Sequence, residues 1–150
     1  LKILSRKRTN DEFFTPEHFI ALHISTLIDI DIDAIYLDRN AGEGNWAVVV
    51  ISCLEKKGKT KEQALSQVFC IELFEDNCIK IVERLYGQGI IVSILPDKLP
   101  ECYQKPGLKC MFEHNGELVE NVFCGDALKY SMNFKEQTRT FGRDLFEEIP

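Results

Sequence analysis

Apolar residues Phe19, Ile20, Leu22, Ile24, Leu27 and Ile28 recur at the three-to-four-residue spacing of a helix face. Thr15 before Pro16 reads as an N-cap followed by proline at the first helical position, so the pattern predicts a helix over residues 16–28. Ala34-Ile35-Tyr36-Leu37-Asp38 is a short apolar run ending in an acid, the signature of a buried strand. It feeds a glycine-bearing loop, Arg39-Asn40-Ala41-Gly42-Glu43-Gly44-Asn45. Residues 46–54 are apolar almost all round, and Ala47-Val48-Val49-Val50-Ile51 has a strand's composition. The segment nevertheless follows the loop directly and stops at Lys56-Lys57-Gly58, which predicts a helix.

Residues 61–66 read as a short helical turn and residues 67–73 as a second buried strand, with Glu72 near its end. Glu75 and Asp76 open an amphipathic helix carrying Ile79, Ile81, Val82 and Leu85, with acids in the first turn where the helix dipole favours them. Residues 90–95 form a further candidate strand, and residues 96–107, with three prolines and no period, form a loop. Asn115-Gly116 between the apolar runs 108–113 and 117–125 predicts a β-hairpin. The first ten residues are polar and expected to be loosely ordered, and Phe134, Phe141 and Phe146 are expected to anchor a polar tail. Strand–helix units in series predict an α/β domain over residues 1–150, with a doubly wound, mainly parallel sheet and an inserted β-hairpin.

Composition narrows the class. The 150 residues are 45% hydrophobic and 28% charged, enough for one ordered core. No apolar run approaches the roughly 18 residues that span a bilayer, and the opening Leu1-Lys2-Ile3-Leu4-Ser5-Arg6 is too polar for a signal peptide. A cytoplasmic protein is expected. Its six cysteines form no Cys-x-x-Cys pair and no zinc-finger spacing, so reduced thiols and no metal site are expected. His18, His23 and His114 are too scattered to share a metal, and no Cys/His pair suggests a nucleophile. A net charge of −6 opposes nucleic-acid binding by the chain alone, despite the cluster Lys2, Arg6, Lys7 and Arg8.

Ligands of an open parallel sheet sit outside the carboxyl ends of its strands. Asp38, Glu72 and Asp126 fall at such ends, with Gly42 and Gly44 in the loop after the first. Glycines there admit a ligand close to the backbone. An acid on the second strand can accept from ribose hydroxyls, and one on the third from an adenine amine. A dinucleotide is the natural competitor, and Ala47 is tolerated at the third position of its G-x-G-x-x-G fingerprint. Asp38 and Glu43, however, would repel a pyrophosphate and suit a cofactor bearing sulfonium and ammonium groups.

Phe14-Thr15-Pro16, then Tyr36-Leu37-Asp38-Arg39-Asn40-Ala41-Gly42-Glu43-Gly44-Asn45, then Ile71-Glu72-Leu73, then Cys124-Gly125-Asp126-Ala127-Leu128 resembles the N6-adenine DNA methyltransferase family, over roughly residues 11–130. The resemblance implies a Rossmann-like fold that binds S-adenosylmethionine. It assigns Thr15 and Pro16 to the methionine carboxylate, and Asp38, Ala41, Gly42 and Gly44 to the methionine loop. It assigns Glu72 to the ribose, Leu73 and Phe74 to the flanks of the adenine ring, and Asp126 and Ala127 to the adenine edge.

Two departures qualify what the resemblance implies. Arg39 stands where the family has proline, bringing bulk and positive charge to the methionine site. The chain also has no Pro-Pro dipeptide, so the family's [DNS]-P-P-[YFW] acceptor motif is absent and Asn133-Phe134 is a poor substitute. No catalytic residue is assigned. The expected protein is a cofactor-binding half, either a truncated or accessory form or one half of a split enzyme whose catalytic motif and target recognition come from a protein partner, with DNA engaged weakly or through that partner. The alternatives are a catalytically inactive module binding a partner such as a restriction–modification component, and a protein that consumes or sequesters S-adenosylmethionine.

Overall fold

A computed structural model describes residues 17–89, 92–95, 99 and 101–130. The expectations for residues 1–10, the Thr15–Pro16 cap, Asn133-Phe134 and the tail phenylalanines lie outside the described residues.

Helix α1 (Glu17–Ile30) buries Ile20, Ile24 and Ile28, one residue per turn, against the next helix. Strand β1 (Tyr36–Asp38) follows, then helix α2 (Asn45–Lys56). The valine-rich stretch is helical because Ala47, Val50, Ile51 and Leu54 fall on one buried face at helical spacing. Burial of that face overrides the β-branched residues' preference for strands. Helix α3 (Lys61–Gln67) begins with a capping box in which Thr60 and Gln63 satisfy each other's backbone N–H. It leads into β2 (Val68–Glu72), buried at every position, and then α4 (Glu75–Tyr86).

Strand β3 (Ser93–Leu95) occupies the second half of its predicted range. The proline-rich loop after it contains a 3-10 turn, Glu101–Tyr103, that sequence periodicity did not reveal. Strands β4 (Leu108–His114) and β5 (Glu117–Gly125) form the predicted hairpin. Asn115 and Gly116 both have positive φ, 51° and 74°, as the tight two-residue turn requires.

The five strands lie in the order β1-β2-β5-β4-β3. The pairs β1·β2 and β2·β5 are parallel, whereas β5·β4 and β4·β3 are antiparallel. The sheet is therefore mixed rather than mainly parallel, because the second arm of the hairpin is itself the third parallel strand. The four α-helices among the described residues contribute to the core on the face carrying Val68, Cys70, Val122 and Cys124. Phe69, Ile71, Met111 and Phe123 project from the other face, where Tyr103 and Tyr130 cover them. That the described helices share one face has a direct cause. The parallel strands advance in one direction, and right-handed crossovers then deliver their helices to one face. A doubly wound sheet reverses direction at its first strand; the described residues contain no reversal.

The amino end of β2 is held by amides. Asn121, in an irregular part of β5 where that strand takes five steps to β4's two, donates to the carbonyls of Leu65 and Val68 at 3.1 Å. Its carbonyl accepts from the Tyr86 hydroxyl at 2.7 Å. Gln67 donates to the carbonyls of Ile32 and Ala34, tying the segment before β1 to β2.

A candidate ligand site at the carboxyl ends of the parallel strands

The register places the three acids on a staircase. Asp38 pairs with Cys70, two residues short of Glu72, and Glu72 pairs with Cys124, two residues short of Asp126. Each step rises about 6.6 Å along the strands. A two-residue step preserves side-chain parity, so Asp38 and Glu72 point to the helix-covered face with Cys70 and Cys124.

All three acids share one local feature. Asp38 Oδ1 accepts from the Asn40 N–H at 3.1 Å, Glu72 Oε2 from the Phe74 N–H at 2.9 Å, and Asp126 Oδ1 from the Leu128 N–H at 2.9 Å. Each carboxylate thus turns the chain out of its strand by satisfying the N–H two residues on. That is one structural reason for acids at these positions. What distinguishes the three is their remaining oxygen.

Glu72 has none to offer. It is 2% exposed; Oε1 accepts from the Gly42 N–H at 3.0 Å, and Oε2 also accepts from the Asn77 side-chain amide at 3.2 Å. In this structure it fastens the glycine loop to β2 instead of presenting both oxygens to a ribose. The Ala41 N–H adds a bond to the Ile71 carbonyl at 3.1 Å. Asp38 differs: its second oxygen has no donor among the described residues. Burial raises its pKa and only the Asn40 N–H opposes the rise. Asp126 is partly buried, and its own N–H bonds the Gly107 carbonyl at 2.8 Å. A Cβ at Gly125 would lie 2.5 Å from that same carbonyl oxygen, so only glycine permits this approach. Gly125 and Gly107 thereby position Asp126. The pairing is invisible in the sequence because 18 residues separate them.

The glycine loop is pinned from the α4 side as well. Arg84 donates to the Glu43 carbonyl at 2.8 Å and the Asn45 side chain at 2.7 Å, and pairs with Glu17 at 2.7 Å. Lys80 pairs with Glu43 at 2.8 Å. Glu43 is thus neutralised by α4, which corrects its expected role in repelling a pyrophosphate; that repulsion rests on Asp38 alone. Gly44 caps α2 in the left-handed region, φ 88°, and a Cβ there would come within 3.0 Å of Ile81. Its glycine is explained by helix packing without any ligand.

Arg39 reaches across the site and hydrogen-bonds the Ala127 carbonyl, joining the ends of β1 and β5. Leu73 is 38% exposed and Phe74 partly buried beside Glu72, while Leu128 is 92% exposed. Trp46 packs edge-on against Tyr36, with centroids 6.0 Å apart, and so belongs to the core. Thr15 and Pro16, the remaining expected ligand residues, lie outside the described residues.

Beneath the site lie the thiols of Cys78, Cys110 and Cys124, all unpaired and buried. A bond with Cys110 pulls the Cys124 thiol down, but a bond with Cys78 and burial push it up to about 12. Protonated thiols of this kind act as packing groups, not nucleophiles. No group of three His, Cys, Asp or Glu side chains among the described residues could hold a metal ion, and no helix among them is long and apolar enough to cross a membrane. Comparison of the chain with protein-family models, curated proteins and solved structures finds no match in any of the three.

Proposed function

We propose that the chain is an S-adenosylmethionine-binding, methyltransferase-like domain, related to N6-adenine DNA methyltransferases and incomplete as a catalyst by itself. The observation that carries the reading is Asp38. It is a partly buried carboxylate at the end of the first parallel strand, beside the Gly42-Glu43-Gly44 loop, with no cationic partner among the described residues. A ligand ammonium would offset the desolvation that raises its pKa, whereas a phosphate would aggravate it. Asp126 would accept from an adenine amine, with Leu73 alongside. Glu72 would act chiefly by holding Ala41, Gly42 and Gly44 in place, and any ribose contact would share an oxygen already engaged by the loop.

The order of the parallel strands supports a Rossmann-like origin: third, second, first, which is one half of the order 3-2-1-4-5-6. Methyl transfer to adenine needs acceptors that orient the target amine. Residues 1–150 contain no [DNS]-P-P-[YFW] motif, so these residues would bind the cofactor while the motif and the DNA contact come from outside them. When bound, the cofactor supplies an electrophilic methyl group; the residues of this chain bind and orient it.

Calorimetric titration with S-adenosylmethionine tests the reading. Binding that Asp38→Asn and Asp126→Asn each weaken at least tenfold supports it. No heat at about millimolar ligand, from folded protein, removes it. A second reading would then lead: a catalytically inactive module that binds a protein partner such as a restriction–modification component. The observation favouring it is α1, which exposes Phe19 (53%), Leu22 (71%) and Ile30 (77%) on the side opposite its buried isoleucines.

A further inference from the structure

At the end of the sheet opposite the candidate ligand site, the described residues enclose a second hollow. It measures about 550 Å³ and lies between the start of α3, the end of α4 and the β4–β5 turn. That size falls within the roughly 300–1,000 Å³ of small-molecule sites. Glu120 in its wall stands six residues before Asp126 on β5, about 20 Å of strand. The hollow shares none of its lining residues with Asp38, Glu72, Asp126 or the glycine loop.

One part of the lining is apolar and aromatic. Leu65 and Leu85 are buried and Leu118 half-buried. The Tyr86 and His114 rings pack with centroids 4.9 Å apart. Burial, with the nearby Cys70 and Glu120, pushes the Tyr86 hydroxyl up, so it stays protonated and donates to Asn121. Its ring therefore offers an aromatic face with no charge of its own. His114 Nδ1 is buried with no hydrogen-bond partner among the described residues, a polar group the chain leaves unmet.

The rest of the lining is charged and unbalanced: Glu62, Glu117 and Glu120 face one cation, Lys61. Glu62 and Glu117 come from different segments, and neither is in an ion pair among the described residues. Glu120 is 7% exposed, so this is not a solvated acidic face. Helix α4 ends at Tyr86, and its last carbonyls add partial negative charge at the same place. We propose that this pocket binds a small organic cation, an ammonium carried on an aliphatic body. The ammonium would meet the carboxylates in a partly enclosed setting, where such pairing is stronger than in open water. The body would lie along Leu65, Leu85 and Leu118 and over the Tyr86 ring, whose face attracts a cation. An anion would meet more carboxylates than lysines, and a neutral molecule would leave them unanswered. The inference does not depend on S-adenosylmethionine binding.

The test titrates the isotope-labelled chain at neutral pH with hexylamine and, in parallel, with hexanol and hexanoate, which share its body and differ in charge. Hexylamine should approach saturation by about 10 mM. It should shift the amide signals of Leu65, Tyr86, His114 and Leu118 while those of Asp38 and Gly42 stay in place. Hexanol and hexanoate should bind at least tenfold more weakly. Glu62→Gln combined with Glu117→Gln alters only exposed side chains, so the fold should persist while hexylamine affinity falls at least tenfold. Equal binding of hexanol would make the hollow merely apolar, and stronger binding of hexanoate would make it an anion site around Lys61; either overturns the proposal. So does no saturable shift at about 10 mM hexylamine, a shift confined to other surfaces, or an affinity unchanged in the double variant. The probes and the reporting amides are distinct from those of the cofactor titration, so failure here leaves the cofactor reading intact, and failure there leaves this one.

Discussion

Glu72 and Asn121 lie on neighbouring strands, near opposite ends of the same parallel pair, and both are buried polar residues that gather hydrogen bonds from their own chain. Asn121 is 0% exposed and matches an amide to two carbonyls and a tyrosine hydroxyl, a neutral arrangement in which donors and acceptors balance. Glu72 places a carboxylate among N–H donors, and within one strand of it Asp38 holds a second acid in partly desolvated surroundings with no cation among the described residues to meet it. The Asn121 cluster is neutral and answers its own donors and acceptors, whereas Asp38 carries a charge that no described residue neutralises. Burial of polar groups is thus a poor guide to a site by itself. The informative difference is whether the chain answers its own charge.

Asn121→Ala should have the largest effect. It leaves the Leu65 and Val68 carbonyls and the Tyr86 hydroxyl without their partner in the interior, at a cost of about 2–4 kcal/mol, read as a lower urea midpoint at unchanged slope. Glu72→Gln comes next. Its new amide group would face the donors of Phe74 and Asn77 or of Gly42, destabilising by about 1–3 kcal/mol. The same variant should lose cofactor affinity through the loosened glycine loop; unaltered affinity would show that Glu72 does not hold the loop for binding.

Asp38→Asn should act in the opposite direction. Burial raises the Asp38 pKa, so the fold favours its protonated form. The contribution that Asp38 makes to stability is therefore present below its unfolded pKa, about 3.9, and is lost as pH rises through the raised folded value. The asparagine variant should accordingly be more stable than the parent at neutral pH, with the advantage disappearing near pH 3 to 4. Urea midpoints at the two pH values measure this directly, and a variant that is less stable at neutral pH would mean that a cation already answers Asp38. Arg39→Ala should change stability least, within about 0.5 kcal/mol, because its bond to Ala127 is exposed. Its informative readout is calorimetric: removing the bridge across the site should tighten S-adenosylmethionine binding, and weaker binding would make Arg39 a ligand residue.

Much of the architecture was legible along the chain. The helical reading of the valine-rich segment survived because its punctuation, a glycine loop before and Lys-Lys-Gly after, outweighed its composition. The Asn115-Gly116 hairpin followed from turn chemistry alone. The acids at the strand ends were visible too, but their differing availability was not. Glu72 is consumed by Gly42, thirty residues away, and Glu43 by Lys80, thirty-seven residues away. No local pattern encodes such partners. Tyr103 was missed for the same reason: it is 1% exposed inside a loop without period, because it fills the space over Phe123.

The amino-acid sequence by itself determined where helices, strands and turns lie, since those depend on contacts within a few residues and on the dihedral preferences of glycine, proline and asparagine. It also determined which acids stand beside a glycine loop. Only the tertiary structure decided the order of the strands, the placing of the described helices on one face, and which carboxylate is spent on the loop and which lacks a counter-charge among the described residues. Those outcomes come from pairings between distant segments, where burial and hydrogen-bond satisfaction are settled for the molecule as a whole.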